Sequence, residues 1–184
     1  MGKYIIGLDQ GAIKSRAMLF ASDATVVTSS SRKFGVSFPA PGWVEHPPNA
    51  MWQTMLKCIQ ELFKTSGVPP NDITAIGISN QGGTTLLWDR KTGEPFCNAI
   101  VWQCRRTSHM CQELVNHGLS KLIHQRTGLV PDPIFSATKL KWLLEHTPGI
   151  EAKLKKTKFA SVLWIHGSFL NLLECMRQSL QMHP

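Results

Sequence analysis

The feature that most constrains this chain is a short apolar run, residues 4–9 (YIIGLD), that ends in a carboxylate and passes straight into Gln10-Gly11. An apolar run of this length, closed by Asp and Gly, reads as a buried strand whose C-terminal end meets a tight turn. A carboxylate at such a strand end can hold a metal–phosphate complex, directly or through water. The glycine that follows lets the backbone approach an anion closely. A plain Asp-Gly β-turn has the same local sequence, so the tripeptide alone does not choose between the two.

The rest of the chain supplies the context. Residues 15–20 (SRAMLF) and 24–30 (ATVVTSS) are β-rich runs, which with the first strand predict an antiparallel three-stranded opening. Pro39, Pro41, Pro47 and Pro48 mark residues 38–48 as a loop. Asn49 is expected to cap a helix to about Lys64, with Trp52, Met55, Leu56, Ile59, Leu62 and Phe63 at helical spacing. Strands are expected at 73–79, 84–89 and 98–103, and helices at 105–117, 120–127 and 136–146. The strands starting at Tyr4, Ser15, Ala24, Ile73 and Thr84 are expected to share one sheet. Strands first, then helix, strand and several helices describe an α/β domain.

Composition narrows the class. A 184-residue chain with 42% hydrophobic residues, 14 Gly and 11 Pro is neither disordered nor collagen-like. No window reaches the roughly 18 uninterrupted apolar residues of a membrane span. The N-terminus lacks a signal-peptide h-region and cleavage site, so a cytoplasmic location is expected. Five cysteines, an odd number without a CxxC pair, argue against a disulfide framework and against a zinc site. The net charge is +8, and residues 139–158 carry six Lys against two Glu. Its KLKKTK run, residues 153–158, has no interleaved aromatics, so the stretch reads as a solvated helix face, and no nucleic-acid partner and no membrane partner is expected.

Four segments then line up in order and spacing: IIGLDQGAIKSRAMLF, PGWVEHPP, IGISNQGGTTLLWDRKTGEPFCNAIVWQCRRT and TGLVPDPIFSATKLKWLL. Together they resemble the FGGY carbohydrate kinases, from Lys3 to about His146. PGWVEH and NAIVWQCRRT are similar to the glycerol kinases rather than to sugar kinases at large. The resemblance implies an RNase H-like, actin/hexokinase-type α/β domain, here incomplete. It implies ATP and Mg²⁺ as cofactors, glycerol as the small-molecule partner, and frequent homo-oligomers. It places Asp9 near the magnesium ion and the transferred phosphoryl group, with Gln10, Gly11 and Arg16 framing that group. Trp102 is expected to pack against the glycerol carbons. Such chemistry is mostly positioning and charge neutralisation.

The departures are as informative. Where the family hairpin reads DQGTTSSR, this chain has Ala12, Ile13 and Lys14, and only the hydroxyl of Ser15 remains. Ala and Ile cannot donate to phosphate oxygens. The family's NQRETT is NQGGTT here, so Gly82 and Gly83 stand where an Arg and a Glu bind the glycerol hydroxyls. Ile134 stands where the family's DPYFS has an aromatic. Losing two charged partners from a polyol site costs about 2–5 kcal/mol of recognition. No residue is assignable as the catalytic base. Asp132 and His146 are nominal candidates, for which surface roles are expected.

The resemblance ends near Lys153, which divides the chain into a truncated kinase domain, 1–153, and a tail, 154–184. Read one base early, the tail permits the family's FGTVDTWLI and TNAS at family spacing. The codons of Trp164 and Ile165 then force Asp, and those of Met182 and His183 force Ala. The tail is therefore expected to be out of frame, with the Lys-rich run 153–156 as the slip site, and to lack native packing. The functional expectation is ATP-dependent phosphoryl transfer to glycerol by the family, with this chain inactive. The alternatives are a non-catalytic decayed or binding-only polypeptide, and a kinase of another polyol or sugar.

Overall fold

The computed structural model describes residues 3–89, 92–150, 152 and 159–163, the last five as backbone only. The chain divides into two compact units. Of the described residues, the first comprises 3–36 and 47–81, and the second 37–46 and those from 82 to 163.

In the first unit, β1 (Tyr4–Gln10), β2 (Lys14–Ala21) and β3 (Val26–Lys33) form an antiparallel meander. The chain then enters α1 (Pro48–Ser66) and returns as β5 (Ile73–Asn80), parallel to β1. The sheet order is β3-β2-β1-β5. Alternation along the strands decides which face is covered: Ile6 and Leu8 on β1 and Ala17 and Leu19 on β2 are buried with Met55, Cys58, Ile59 and Leu62 of α1. Trp52 and Phe63 pack at the margin of that core. Helix α1 starts at Pro48, after Pro47 in an extended conformation, and no side chain caps it. The expected Asn49 cap is thus replaced by proline, whose fixed φ suits a first helical turn. The helix ends at Gly67, which takes the left-handed conformation at φ 66°.

In the second unit, β4 (Glu45–His46), β6 (Thr85–Asp89), β7 (Ala99–Ile100) and β8 (Phe159–Leu163) form an antiparallel sheet in the order β4-β7-β6-β8. Leu87, Ile100, Cys104, Leu143 and Ile150 make its core. Helices α2 (Ser108–Asn116), α3 (Ser120–Thr127) and α4 (Ser136–His146) complete it.

Three expectations change here. The strand near Thr84 does not join the sheet of β1; it lies in the second sheet, where Leu86, Leu87 and Trp88 are buried. Periodicity identifies a strand but not its partner. The strand expected at 98–103 shrinks to Ala99–Ile100, because the Cys104 N–H donates to the Val101 carbonyl at 2.9 Å and turns the chain. Within the tail expected to lack native packing, residues 159–163 pair with β6, from Asp89 opposite Phe159 to Thr85 opposite Leu163. Backbone ladders tolerate many sequences with β-rich side chains, and FASVL is one. The rest of the tail, including Trp164, Ile165 and His166, lies outside the described residues.

Candidate functional site

The first unit brings a polar row to the C-terminal ends of two parallel strands, the usual ligand edge of such sheets. Asp9 lies opposite Arg16 on β2 and beside Ser79 on β5. Ser31 lies opposite Arg16 on β3. Residues directly across a ladder share a face, so Arg16, Asp9 and Ser79 form one row. Asp9 and Arg16 are half-buried and Ser79 is exposed. Ser79 escaped the sequence reading because it looks like the polar end of an ordinary strand.

Gln10 and Ser15, one residue further along, face the other way. Ser15 is 0% exposed; its Oγ donates to Gln10 Oε1 at 3.0 Å and lies 2.8 Å from Thr54 Oγ1 of α1. These two side chains fasten the hairpin to α1, and what they can offer a phosphate is backbone. Between them, the Gly11 N–H donates to the Lys14 carbonyl at 3.1 Å, and Gln81 Nε2 donates to the Gly11 carbonyl at 3.3 Å. A Cβ on Gly11 would come within 3.3 Å of that Lys14 oxygen, so the turn is tight enough to favour glycine. Ala12 and exposed Ile13 form the tip and bring no hydroxyl.

The second unit gathers Gly82, Gly83, Trp102 and Ile134 into a wall. Trp102 sits on the turn after β7 and is 37% exposed, as is Ile134. A Cβ on Gly83 would lie 2.7 Å from the Ile134 carbonyl oxygen and 2.8 Å from Trp102 Cβ. Gly82 has open space instead. Lys139 of α4 is 0% exposed, and its Nζ donates to the carbonyls of Gly83 (2.8 Å), Ile134 (2.6 Å) and Phe135 (3.4 Å). Burial pulls its pKa down to about 8, against the opposing pull of Cys104, Asp132 and Cys111. Lys139 thus departs from the solvated face expected for residues 139–158. It shares a helix stripe with buried Leu143, four residues on, whereas Lys141 points outward and pairs with Glu145.

The nominal bases have structural roles. Asp132 Oδ1 accepts the Ile134 N–H at 2.8 Å and lies 3.6 Å from the Arg105 guanidinium. His146 stacks on Trp142 with centroids 4.4 Å apart, its Nδ1 2.9 Å from the Trp142 carbonyl.

PGWVEH and VWQCRR turn out to be halves of one support. Arg106 pairs with Glu45 at 2.7 Å, and its guanidinium carbon lies over the rings of Trp43 (4.0 Å) and Trp142 (4.6 Å), which themselves meet edge to face at 5.2 Å. The Val101 N–H donates to the Val44 carbonyl and the Arg105 N–H to the Gly42 carbonyl. Gly42 has φ 75°, a conformation open chiefly to glycine. This support holds the Trp102 turn. Among the described residues no group of three or more His, Cys, Asp or Glu converges as a metal cluster, and no helix is long and apolar enough to cross a membrane. A lone Asp with phosphate oxygens and water is nevertheless a donor set that suits Mg²⁺.

The model of the FGGY family of carbohydrate kinases, N-terminal domain, matches residues 4–172. A glycerol kinase of Halothermothrix orenii is 48% identical over 153 residues, which are 83% of this chain and 31% of that protein. Glycerol kinase 2 of Thermotoga maritima is 46% identical over 154 residues, 84% of this chain and 31% of that protein. The chain thus spans about a third of the length of these curated relatives. Among solved structures, Plasmodium falciparum glycerol kinase with ADP superposes with a TM-score of 0.78 at 27% identity, covering 86% of this chain and 32% of that one. A xylulose kinase of Rhodospirillum rubrum gives 0.72 at 27% identity, covering 82% and 30%. The mixed α/β architecture is therefore that of the sugar kinases, present in part.

Proposed function

Because the chain belongs to the FGGY family of carbohydrate kinases, we propose that it carries the phosphate-binding edge and the glycerol-facing wall of an ATP-dependent phosphotransferase that makes glycerol 3-phosphate. The observation that carries this reading is the Arg16–Asp9–Ser79 row at the strand ends beside the Gly11 turn. ATP with Mg²⁺, when bound, supplies the phosphoryl group and neutralises its charge. In this reading Asp9 holds the metal, Arg16 and the Gly11 backbone face the phosphoryl oxygens, and Trp102 packs against the polyol carbons. The setting is cytoplasmic, as for a metabolic kinase acting on ATP.

We further propose that the 184-residue chain by itself does not convert glycerol to product. Gly82 and Gly83 offer no side chain to a hydroxyl, Ile134 offers none that can hydrogen-bond, and the hairpin tip has lost its hydroxyls. A coupled assay is expected to detect no glycerol-dependent ATP consumption. Magnesium-dependent glycerol 3-phosphate formation that disappears in Asp9→Ala would overturn the inactivity and uphold the site.

A second reading, a kinase or binder of another polyol or sugar, is favoured by one feature: the wall around Trp102 and Ile134 is apolar, with open space at Gly82. Isothermal titration with glycerol, erythritol, xylulose and gluconate separates the two, since a preference for any ligand over glycerol would replace the first reading with the second.

A further inference from the structure

We propose that Lys139 is the positioning residue of this wall: its ammonium ties the carbonyls of Gly83 and Ile134 together, fixes the seat of Trp102, and holds the two turns so close that in this chain position 83 has no room for a side chain. The inference rests on the reading of the wall as polyol-facing only for its functional consequence; the tie itself rests on geometry.

An ammonium has three protons, and here each has a backbone acceptor, at 2.6, 2.8 and 3.4 Å. Two of those acceptors belong to separate segments, the Gly82-Gly83 turn before β6 and the Pro133-Ile134 turn before α4. Carbonyls turned toward one point repel each other unless a cation lies between them. Lys139 is that cation. Drawn together, the two segments leave the Gly83 Cα no room: a Cβ would meet the Ile134 oxygen at 2.7 Å and Trp102 Cβ at 2.8 Å. Gly82, one residue earlier, lies outside the tie and is open. Methionine at 139 would leave the two carbonyls buried without a donor, and they would part.

Two measurements on the full 184-residue chain test this. In spectra of ¹⁵N-lysine-labelled protein, one ammonium signal is expected to exchange slowly with water. It should vanish in Lys139→Met, move in Gly83→Ala and stay in place in Gly82→Ala. A Lys139 ammonium that exchanges as fast as the surface lysines overturns the proposal. With 5-fluorotryptophan, the line lost in Trp102→Phe identifies Trp102. That line is expected to shift in Lys139→Met but not in Leu143→Ala, which empties a core position on the same helix without touching the carbonyls. Equal shifts in both variants would make Lys139 an ordinary core residue and overturn the tie. The two substitutions should also couple: Gly83→Ala is expected to lose less than half as much melting temperature in the Lys139→Met background as in wild type. Additive losses overturn the proposal. If Lys139→Met does not fold, Lys139→Gln replaces it, and the Gly83/Gly82 comparison reads the tie with Lys139 intact. Glycerol is then added to the wild type: a Trp102 line that ignores it leaves the tie standing and overturns the polyol reading.

Discussion

At the scale of single residues, two buried cations carry the second unit. Arg106 has a side chain 1% exposed, paired with Glu45 and packed over two indoles. Arg106→Met leaves the Glu45 carboxylate, 15% exposed, with the Asn98 amide still donating to it at 3.0 Å, so the cost stays below the roughly 3–5 kcal/mol of a fully buried lone charge. Arg106→Met should therefore lower the urea midpoint, and Arg106→Met with Glu45→Met should recover part of the loss. Equal midpoints for the single and double variants would mean that the ion pair is not the source of the effect. Arg106→Lys keeps the charge but not the planar stack, and should fall between. Lys139 gives a pH signature. Its folded pKa of about 8 lies below its ordinary 10.5, so between these values the unfolded chain binds more protons. The stability that Lys139 contributes is therefore lowest below pH 8 and rises from there toward 10.5. The groups that bear on it are Cys104, Asp132 and Cys111. The buried Cys111 thiol, raised by burial, acts in the opposite sense, since its proton is lost first from the unfolded chain. Comparing wild type with Lys139→Met cancels that contribution. Their difference in unfolding free energy is expected to move in favour of wild type by about 3 kcal/mol or less across this window; a flat difference would mean that Lys139 titrates as it does in water.

At the scale of elements, β8 is the test case. It lies at the edge of the second sheet and covers β6 along its whole length. Without it, Thr85–Asp89 would present an unpaired edge carrying Leu86, Leu87 and Trp88. A chain ending at Ala152 is expected to melt lower and to aggregate at concentrations where the full chain stays dispersed, as read by light scattering. Equal behaviour of the two would show that the ladder contributes nothing and that the second sheet closes at β6. The out-of-frame reading of residues 154–184 remains our proposal for the side-chain order of the tail, and the nucleotide sequence across codons 150–184 tests it directly. A frame that cannot encode FGTVDTWLI after restoring one base would end it.

For the whole molecule, the +8 charge is the property with the widest reach. A basic excess binds any polyanion at low salt through counterion release. The lysines of this chain are partly engaged: Lys139 is buried, and Lys141 pairs with Glu145. No stripe of aromatics accompanies the basic stretch. Fluorescence anisotropy with a random-sequence duplex is expected to show weak, sequence-independent binding that disappears near about 0.15 M salt. Binding that persists there would return nucleic acid to the list of partners.

What the sequence determined by itself was local. Apolar runs, the Asp9-Gln10-Gly11 turn and the helical spacing over Trp52–Phe63 each report on neighbours within a few residues, and β1, β2, β5, α1, α3 and α4 follow from them. Family likeness in the four motifs carried the fold class and singled out Asp9, Arg16 and Trp102 as candidates. Only the tertiary structure decided which sheet β6 joins, because strand pairing depends on segments far apart in the chain. It alone turned Gln10 and Ser15 inward, since the face a side chain takes follows from ladder register. It alone made Lys139 a buried donor to three carbonyls, although in sequence it is one lysine among six in a basic stretch. Charge and spacing name a residue's chemistry; what that chemistry is spent on is set by the groups that packing brings around it.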